Sequence, residues 1–179
     1  MIELRPFTRE DFPRLINWIS SPRLLLQWAG PQLFHYPLDE DQLGKYIGQA
    51  NKGKPGSLIF KVVCKQKQEV IGHIELTGIN NESSTASICR VFVDPGWRGK
   101  GACQEMARKI VEIGFNEYDL HRIELKVYDF NLGAISCYEK AGFVREGVLR
   151  EAQREGNEYW NVVLMGILKK EWQVRCASI

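Results

Sequence analysis

The sequence predicts an α/β (α+β) fold in which one mixed, mostly antiparallel twisted sheet is flanked by helices. Two observations predict this class. Segments with the two-residue alternation of strands are interspersed with segments that have the helical spacing of apolar residues. The two kinds do not alternate strictly, as they would in a doubly wound parallel sheet, so a mixed sheet covered by helices is the natural packing. A chain of 179 residues, 44% of them hydrophobic, fits a single domain over residues 1–179.

The N-terminal residues predict a short strand followed by a helix. Ile2 and Leu4 alternate with polar neighbours, which is typical of a strand. Thr8, with Asp11 three residues later, is a variant of the capping box that begins a helix. We expect this helix to end at residues 21–22, where a serine precedes a proline.

Residues 24–37 are rich in aromatic side chains but have no clear period, which predicts a loop or an irregular helix. Asp39, with Gln42 three residues later, marks the start of a second helix. The aromatic stretch 27–36 is a candidate for the wall that receives the acceptor substrate. The same side chains are equally suited to packing the first two helices on the sheet.

Three strands are predicted in the middle of the chain, at residues 58–64, 70–77 and 86–93. The polar turn at 65–69 joins the first two as a hairpin. The second half predicts, in order, a helix, a strand, a helix and two strands. These elements are residues 101–116, 122–128, 131–141, 143–150 and 159–168.

The charges, cysteines and histidines disfavour several classes of protein. The formal net charge is only +2, with basic residues spread along the chain, so we expect no nucleic-acid partner. No apolar run is long enough to span a bilayer, and the N-terminus lacks the apolar core of a signal peptide, so we expect no membrane partner. The five cysteines form no C-x-x-C pair, which favours free thiols and a cytoplasmic location. The three histidines have no zinc-ligand spacing, so we expect no metal.

Residues 91–103 form the most informative segment. A strand ends there, a turn follows, and Gly99 and Gly101 lead directly into a helix. Glycines let a ligand approach the backbone closely and the first amides of a helix attract an anion, so the segment predicts a phosphate or pyrophosphate site. Arg98 and Lys100 add positive charge. The alternative is a glycine-rich turn that only caps a helix, and the spacing matches neither a P-loop nor a Rossmann fingerprint.

A second motif lies at residues 131–143, where an asparagine and an alanine precede the run Tyr-Glu-Lys-x-Gly-Phe. It resembles the second conserved motif of the GNAT acetyltransferase superfamily. The pattern Arg-x-x-Gly-x-Cys at 98–103 resembles that family's acetyl-CoA pyrophosphate loop. The opening residues 4–11 and the later segments 146–150 and 165–172 are also similar to family members. The resemblance covers nearly the whole chain and is strongest to the branch of ribosomal-protein N-terminal and spermidine acetyltransferases.

The resemblance implies that the sheet splays apart after the strand at 86–93 and that acetyl-CoA, the acetyl donor, binds at the gap. Its pantetheine arm would pair with exposed backbone groups in the manner of an added strand. The residues assigned to the donor in this way are Phe92, Val93, Arg98, Gly99, Lys100, Gly101, Ala102, Cys103 and Asn131. Cys103 departs from the family, which has glycine or alanine there, but cysteine is small and we expect the loop to close on pyrophosphate. Asn131 is also suited to capping a helix, which is the alternative for that residue.

Tyr138 is the candidate catalytic acid. In the resembled family the matching tyrosine lies close to the cofactor sulfur, and a phenol is protonated at neutral pH, so it has a proton for the departing thiolate. The alternative is a tyrosine that only packs its helix on the sheet. Glu75 is the candidate base that deprotonates the acceptor amine, with His73 on the same face of its strand. A solvent-facing Glu75 and a base formed by a water relay are the alternatives.

The sequence thus predicts an N-acetyltransferase that moves an acetyl group from acetyl-CoA to a primary amine by direct attack in a ternary complex. A covalent route through Cys103 or Cys137 is less favoured, because neither has an obvious histidine partner in the sequence. The alternative function is a catalytically inactive acyl-CoA-binding regulatory module. The sequence does not distinguish a protein N-terminus, a polyamine or another small molecule as acceptor, a monomer from a homodimer, or acetyl-CoA from other acyl-CoAs.

Overall fold

The computed structural model describes residues 1–48, 50–51 and 56–177, and within them it contains a seven-stranded sheet flanked by helices. The strands are β1 (Ile2–Pro6), β2 (Ser57–Cys64), β3 (Glu69–Asn80), β4 (Thr85–Val93), β5 (Arg122–Tyr128), β6 (Val144–Glu155) and β7 (Glu158–Leu168). The helices are α1 (Phe12–Trp18), α2 (Pro22–Ala29), α3 (Glu40–Tyr46), α4 (Ala102–Asn116), α5 (Leu132–Ala141) and α6 (Lys169–Ala177). Among the described helices, none has the length and apolar character that a membrane crossing requires.

The strands are arranged in the order β1-β2-β3-β4-β5-β7-β6. Neighbouring strands run antiparallel except β4 and β5, which are parallel and are connected through α4. A parallel pair needs a crossover connection, and α4 provides it while packing against β1, β3 and β4. This mixed, mostly antiparallel sheet flanked by helices confirms the predicted fold class.

Each face of the sheet is covered by its own hydrophobic cluster. Ile74 of β3 belongs to the cluster that contains the buried sides of α4 and α5. Its neighbour His73 packs edge-on against Phe7 and Trp28, which belong to the cluster of α1, α2 and α3. Since successive side chains of a strand point to opposite faces, α4 and α5 cover one face and α1 to α3 cover the other.

The N-terminal helices differ from the prediction at two boundaries. The capping box of Thr8 and Asp11 is present, but it begins a short 3-10 helix that precedes α1. α1 ends at Trp18, three residues before the predicted end at Ser21, and Ser21 with the proline after it begins a second helix, α2. The Ser21 hydroxyl accepts a hydrogen bond from Leu24 N, and Pro22 occupies the first turn of α2. Proline is tolerated there because a first-turn amide has no intrahelical partner, so α2 lies partly within the stretch predicted as a loop or irregular helix.

The remaining predicted elements are present, and one helix is additional. Gly142, with a φ of 115°, ends α5 as the sequence predicted. β3 and β6 extend further into their hairpins than the predicted strands did. The sequence analysis missed α6, because this helix buries none of its side chains and therefore shows no apolar stripe.

Candidate active site

β4 and β5 separate part of the way along their length. They pair from Thr85 opposite Arg122 to Ile88 opposite Leu125, and within the described residues their pairing does not continue beyond that point. β4 itself continues to Val93, with β3 beside its other edge. The edge of β4 that faces β5 therefore lines a gap in the sheet, as the resemblance implied.

The loop after β4 enters α4 through two glycines with positive φ. Gly99 has a φ of 73° and Gly101 a φ of 81°, a region that other residues rarely adopt. A side-chain Cβ at either position would have no atom within 4 Å. Gly101 is the N-cap of α4, so the first amides of this 15-residue helix, including those of Ala102 and Cys103, have no partner within the helix. This open backbone at the positive end of a helix dipole fits a phosphate group.

Arg98 and Lys100 are exposed and fold back on the same loop. Arg98 Nε donates a hydrogen bond to Val93 O at 3.1 Å, and its guanidinium carbon lies 5.6 Å from the centroid of the Phe92 ring. Lys100 Nζ donates to Gly96 O at 2.6 Å. Both positive charges therefore belong to the same loop as the open amides and are held on its β4 side, against residues 92–96.

Tyr138 is buried on α5, with its ring edge-on to Phe143. Burial raises the pKa of the Tyr138 phenol, and the charge of a Cys89 thiolate would raise it further. The phenol is therefore protonated at neutral pH. Tyr138 follows Cys137, whose sulfur is bonded to that of Cys103 in the first turn of α4, so the helix of Tyr138 lies beside the glycine loop.

Asn131 caps the N-terminus of α5. Its side-chain oxygen accepts a hydrogen bond from Ala134 N at 3.3 Å. Within the described residues, no hydrogen bond is formed by its half-buried side-chain nitrogen. The capping alternative is thus present in the structure, while the amide nitrogen stays free for a ligand.

Cys103 and Cys137 are joined by a disulfide, which corrects the expectation that all five cysteines are free thiols. Their Cα atoms are 6.2 Å apart because the first turn of α4 packs against α5, a contact between residues 34 positions apart that sequence spacing does not reveal. Gln104 Nε2 also donates to Lys140 O, at 3.3 Å. The helix that carries Tyr138 is therefore fastened to the helix that begins at the glycine loop.

Glu75 is buried on the opposite face of the sheet, beneath α3. Its side chain is only 2% exposed and forms an ion pair with Arg90 of β4. Tyr46 Oη donates a hydrogen bond to Glu75 Oε2 at 2.5 Å. Burial by itself would raise the pKa of Glu75, but the hydrogen bond and charge of Arg90 lower it overall. Glu75 is thus an ionised, enclosed carboxylate, and the solvent-facing alternative is wrong.

His73 lies beside Glu75 on the same face of β3. Its Nε2 is 3.2 Å from Tyr46 Oη, and its buried Nδ1 has no hydrogen-bond partner in the described part of the chain. Burial lowers the pKa of His73 to about 3, so the ring is neutral at physiological pH. Since the Tyr46 hydroxyl donates its proton to Glu75, we assign the proton of His73 to Nε2, which donates to Tyr46 Oη.

A bulge in β4 turns Arg90 toward Glu75. The register shifts between His73 opposite Phe92 and Glu75 opposite Cys89, and Arg90 has a φ of 49°. The sequence analysis missed both Arg90 and Tyr46. A signal existed for Arg90, because a cation within an otherwise apolar strand needs a partner. The position of Tyr46 depends on how α3 packs on the sheet, which no local pattern showed.

A cavity of about 440 Å³ opens onto Glu75 and Arg90. Its other walls include Lys45 of α3 and residues 33–35, which belong to the aromatic stretch predicted to receive the acceptor. Trp28 of that stretch is instead buried in the core of the same face. Part of the stretch therefore packs the core and part lines the cavity, while its role in receiving the acceptor stays a prediction.

The structure brings the predicted site residues into two groups around the gap. The glycine loop, Asn131 and Tyr138 belong to α4, α5 and the segments that precede them, on one face. Glu75 lies on the other face with the cavity. Glu75 belongs to β3, so β4 stands between its carboxylate and the gap, and Arg90 of β4 is its direct contact with that strand.

Comparison with known proteins identifies the family. The family model described as "Acetyltransferase (GNAT) domain" matches residues 2–144. The chain belongs to the GNAT acetyltransferase family. This membership confirms the resemblance and the enzyme class, N-acetyltransferase.

Individual relatives match nearly the full length of the chain. The uncharacterized N-acetyltransferase YnaD of Bacillus subtilis is 34% identical over 169 residues, which is 94% of each chain. The spermidine N(1)-acetyltransferase of Vibrio cholerae is 32% identical over 171 residues, covering 96% of this chain and 95% of the relative. The crystal structure of Vibrio cholerae spermidine N-acetyltransferase with CoA and spermine has a TM-score of 0.81 at 26% identity, over 96% of this chain and 98% of that one.

Proposed function

We propose that this GNAT protein transfers an acetyl group from acetyl-CoA to a primary amine, by direct attack of the amine in a ternary complex. The observation that carries the proposal is the gap between β4 and β5, which is flanked by an anion-compatible helix N-terminus and by the Tyr138 phenol. The proposed catalytic domain comprises residues 1–179, and the proposed location is the cytoplasm.

The donor is proposed to bind along the loop and the open edge of β4. The amides of residues 101–103 and the charges of Arg98 and Lys100 suit its pyrophosphate. The backbone of Phe92 and Val93 suits its amide-containing arm, because β5 does not pair with that edge. The free side-chain nitrogen of Asn131 adds a hydrogen-bond donor. The CoA complex of the Vibrio cholerae relative supports this choice of donor.

Two proton transfers accompany the reaction. Acetyl-CoA supplies a thioester carbon, which forms a bond to the amine nitrogen while the carbon–sulfur bond breaks. Tyr138 protonates the departing thiolate, since its raised pKa keeps the phenol protonated at neutral pH. Glu75 removes a proton from the amine, directly or through a water molecule. Because these groups lie on opposite faces of the sheet, the amine approaches from the face of α1 to α3 and the thiolate leaves toward α5.

The acceptor is proposed to enter through the cavity beside Glu75 and Arg90. Protein N-termini, polyamines and other small amines are candidates. Spermidine acetyltransferases of Vibrio cholerae and Escherichia coli are among the relatives, which brings polyamines into this set. Within the described residues, Glu75 is the one acidic side chain that lines the cavity, and Arg90 already neutralises it.

Release of free thiol from acetyl-CoA in the presence of a panel of amines tests the proposal. We expect release that requires both acetyl-CoA and an amine, with the acetylated amine identified by mass spectrometry. A catalytically inactive acyl-CoA-binding module would instead bind acetyl-CoA in calorimetry and release no thiol with any amine. The buried proton donor Tyr138 beside the gap favours the enzyme.

A further inference from the structure

The cavity above Glu75 carries a surplus of positive charge. Its fixed charges in the described residues are Arg90 and Lys45 against the single carboxylate of Glu75. Glu75 is occupied by Arg90 and by the Tyr46 hydroxyl, and its side chain is 2% exposed. Lys45 is exposed, and among the described residues its ammonium has no ion-pair or hydrogen-bond partner. An incoming molecule therefore meets unpaired positive charge rather than a negative patch.

Arg90 is a preorganised donor whose capacity is only partly used. Its Nε donates to Glu75 and its guanidinium also interacts with the Tyr46 hydroxyl, but in the part of the chain that the structure describes no second carboxylate pairs with it. The guanidinium carbon lies 5.5 Å from the centroid of the Tyr46 ring, and 13% of the side chain is exposed, toward the cavity. A guanidinium has five donors in a planar fork that matches a carboxylate. The free edge of Arg90 is thus held in place for an anionic group.

The position of Arg90 links this anion site to the transferred group. Arg90 stands in the bulge of β4, two residues before Phe92 and just beyond the last pair of β4 with β5. The same stretch of β4 is the proposed binding edge for the donor. A small acceptor whose acidic group binds Arg90 can therefore place its own amine beside the donor-binding edge of β4.

We propose that the acceptor is a small primary amine that also carries a carboxylate, such as an amino acid. Arg90 and Lys45 bind the carboxylate, and the amine points toward the gap. This inference rests on the proposed acetyl transfer and narrows its acceptor. A polyamine would place several positive charges beside Arg90 and Lys45, with no unpaired carboxylate in the described wall to offset them.

Matched acceptors test the proposal directly. Leucine, phenylalanine and alanine are compared with isoamylamine, phenethylamine and ethylamine, which lack only the carboxylate, and with spermidine. We expect kcat/KM for at least one amino acid to exceed that of its decarboxylated partner and of spermidine by about tenfold or more, the effect of one charge-assisted hydrogen-bonded contact. Equal or higher kcat/KM for the decarboxylated amines or for spermidine overturns the proposal.

Variants separate recognition of the carboxylate from folding. Lys45→Gln removes an exposed, unpartnered charge and should raise KM for the amino acid about tenfold while changing KM for the decarboxylated amine less than about twofold. Lys170→Gln on α6 is the matched control and should change neither. Arg90→Gln leaves Glu75 unpaired and risks unfolding, so the double variant Arg90→Gln with Glu75→Gln, checked by thermal melting, is used beside it. A folded double variant that keeps the preference for the carboxylate contradicts the assignment of Arg90.

A binding measurement distinguishes failure of this inference from failure of the proposed function. Calorimetry with leucine, phenylalanine or alanine, in the presence of CoA, requires no turnover. Binding of an amino acid that Lys45→Gln weakens supports the inference even if no thiol is released, which would defeat the proposed function alone. Thiol release with amines, without a preference for carboxylated ones in rate or binding, defeats this inference alone.

Discussion

Arg90 and Glu75 form an ion pair between β4 and β3, at the bulge where β4 leaves β5. The pair gives Glu75 two properties that oppose each other in catalysis. It fixes the carboxylate against the bulge of β4, and it lowers the pKa of Glu75, which weakens the carboxylate as a base. A base with a lowered pKa acts best on an amine whose own pKa is low, or through a bridging water molecule.

Glu75→Gln should lower kcat/KM near neutral pH and leave it closer to the wild-type value at alkaline pH, where the acceptor amine ionises without help. The reason is that glutamine keeps the shape of the side chain but accepts no proton. The pH profile of kcat/KM is the measurement, with Glu82→Gln in the exposed turn after β3 as the control. A raised KM with normal kcat at every pH would assign Glu75 to attraction of the acceptor. A profile identical to the wild type would assign the proton transfer to a water relay.

Gly101→Val should weaken binding of acetyl-CoA by about tenfold or more. The valine side chain would stand in the open space that an anion needs to reach the amides of α4, and Gly101 has a φ of 81° that valine adopts only with strain. Gly156→Val is the matched control, because Gly156 also has a positive φ (58°) with no atom near its Cβ position, but lies in the turn between β6 and β7. Calorimetry on both variants, with thermal melting, separates loss of the site from strain. Equal affinity in the two variants would remove the loop from the donor site.

The sequence predicted the parts of the site that consist of local backbone geometry. The glycine loop, the capping residue Asn131 and the position of Tyr138 on a helix follow from residues close together in the chain. Arg90 and Tyr46 were missed because their roles depend on a bulge and on helix packing, which join residues from three different elements. The prediction of the fold was limited in the same way. Strands and capped helices have local sequence patterns and were found, whereas α6 has no stripe of buried side chains and was missed.

The disulfide between Cys103 and Cys137 makes a covalent acetyl-cysteine route untenable for this pair while it is oxidised, because neither sulfur is then a thiolate. We expect incubation with acetyl-CoA alone to leave no acetyl group on either cysteine, as judged by intact mass after desalting in mild acid. A double variant, Cys103→Ala with Cys137→Ala, should keep most of the activity. An acetylated cysteine that passes its acetyl group to an added amine would contradict direct transfer.

Burial of His73 should make the folded protein less stable in mild acid. The pKa of His73 is about 3 in the folded chain, against an ordinary value of 6.5. Between these values the unfolded chain binds a proton that the folded chain does not, so the free energy of unfolding falls as pH decreases, by about 1.4 kcal/mol per pH unit. Urea unfolding between about pH 6 and about pH 5 measures this slope at pH values above the ordinary pKa values of aspartate and glutamate side chains. His73→Gln should reduce the slope by about that amount, and an unchanged slope would contradict the assignment.

Tyr138→Phe should lower kcat by about 10²–10⁴-fold, the usual effect of removing a general acid. The substitution keeps the ring that packs on Phe143 and deletes only the proton. Affinity for acetyl-CoA should therefore change little in calorimetry. Tyr118→Phe is the matched control: burial also raises the pKa of Tyr118, but this residue lies between the C-terminus of α4 and the start of β5, where β4 and β5 are still paired. The control variant shows how much kcat changes when a tyrosine hydroxyl is lost elsewhere. The additional fall in kcat for Tyr138→Phe is then the effect of the missing proton donor. If Tyr138→Phe has nearly normal kcat while chemistry limits the rate, Tyr138 is a packing residue and the thiolate takes its proton from water.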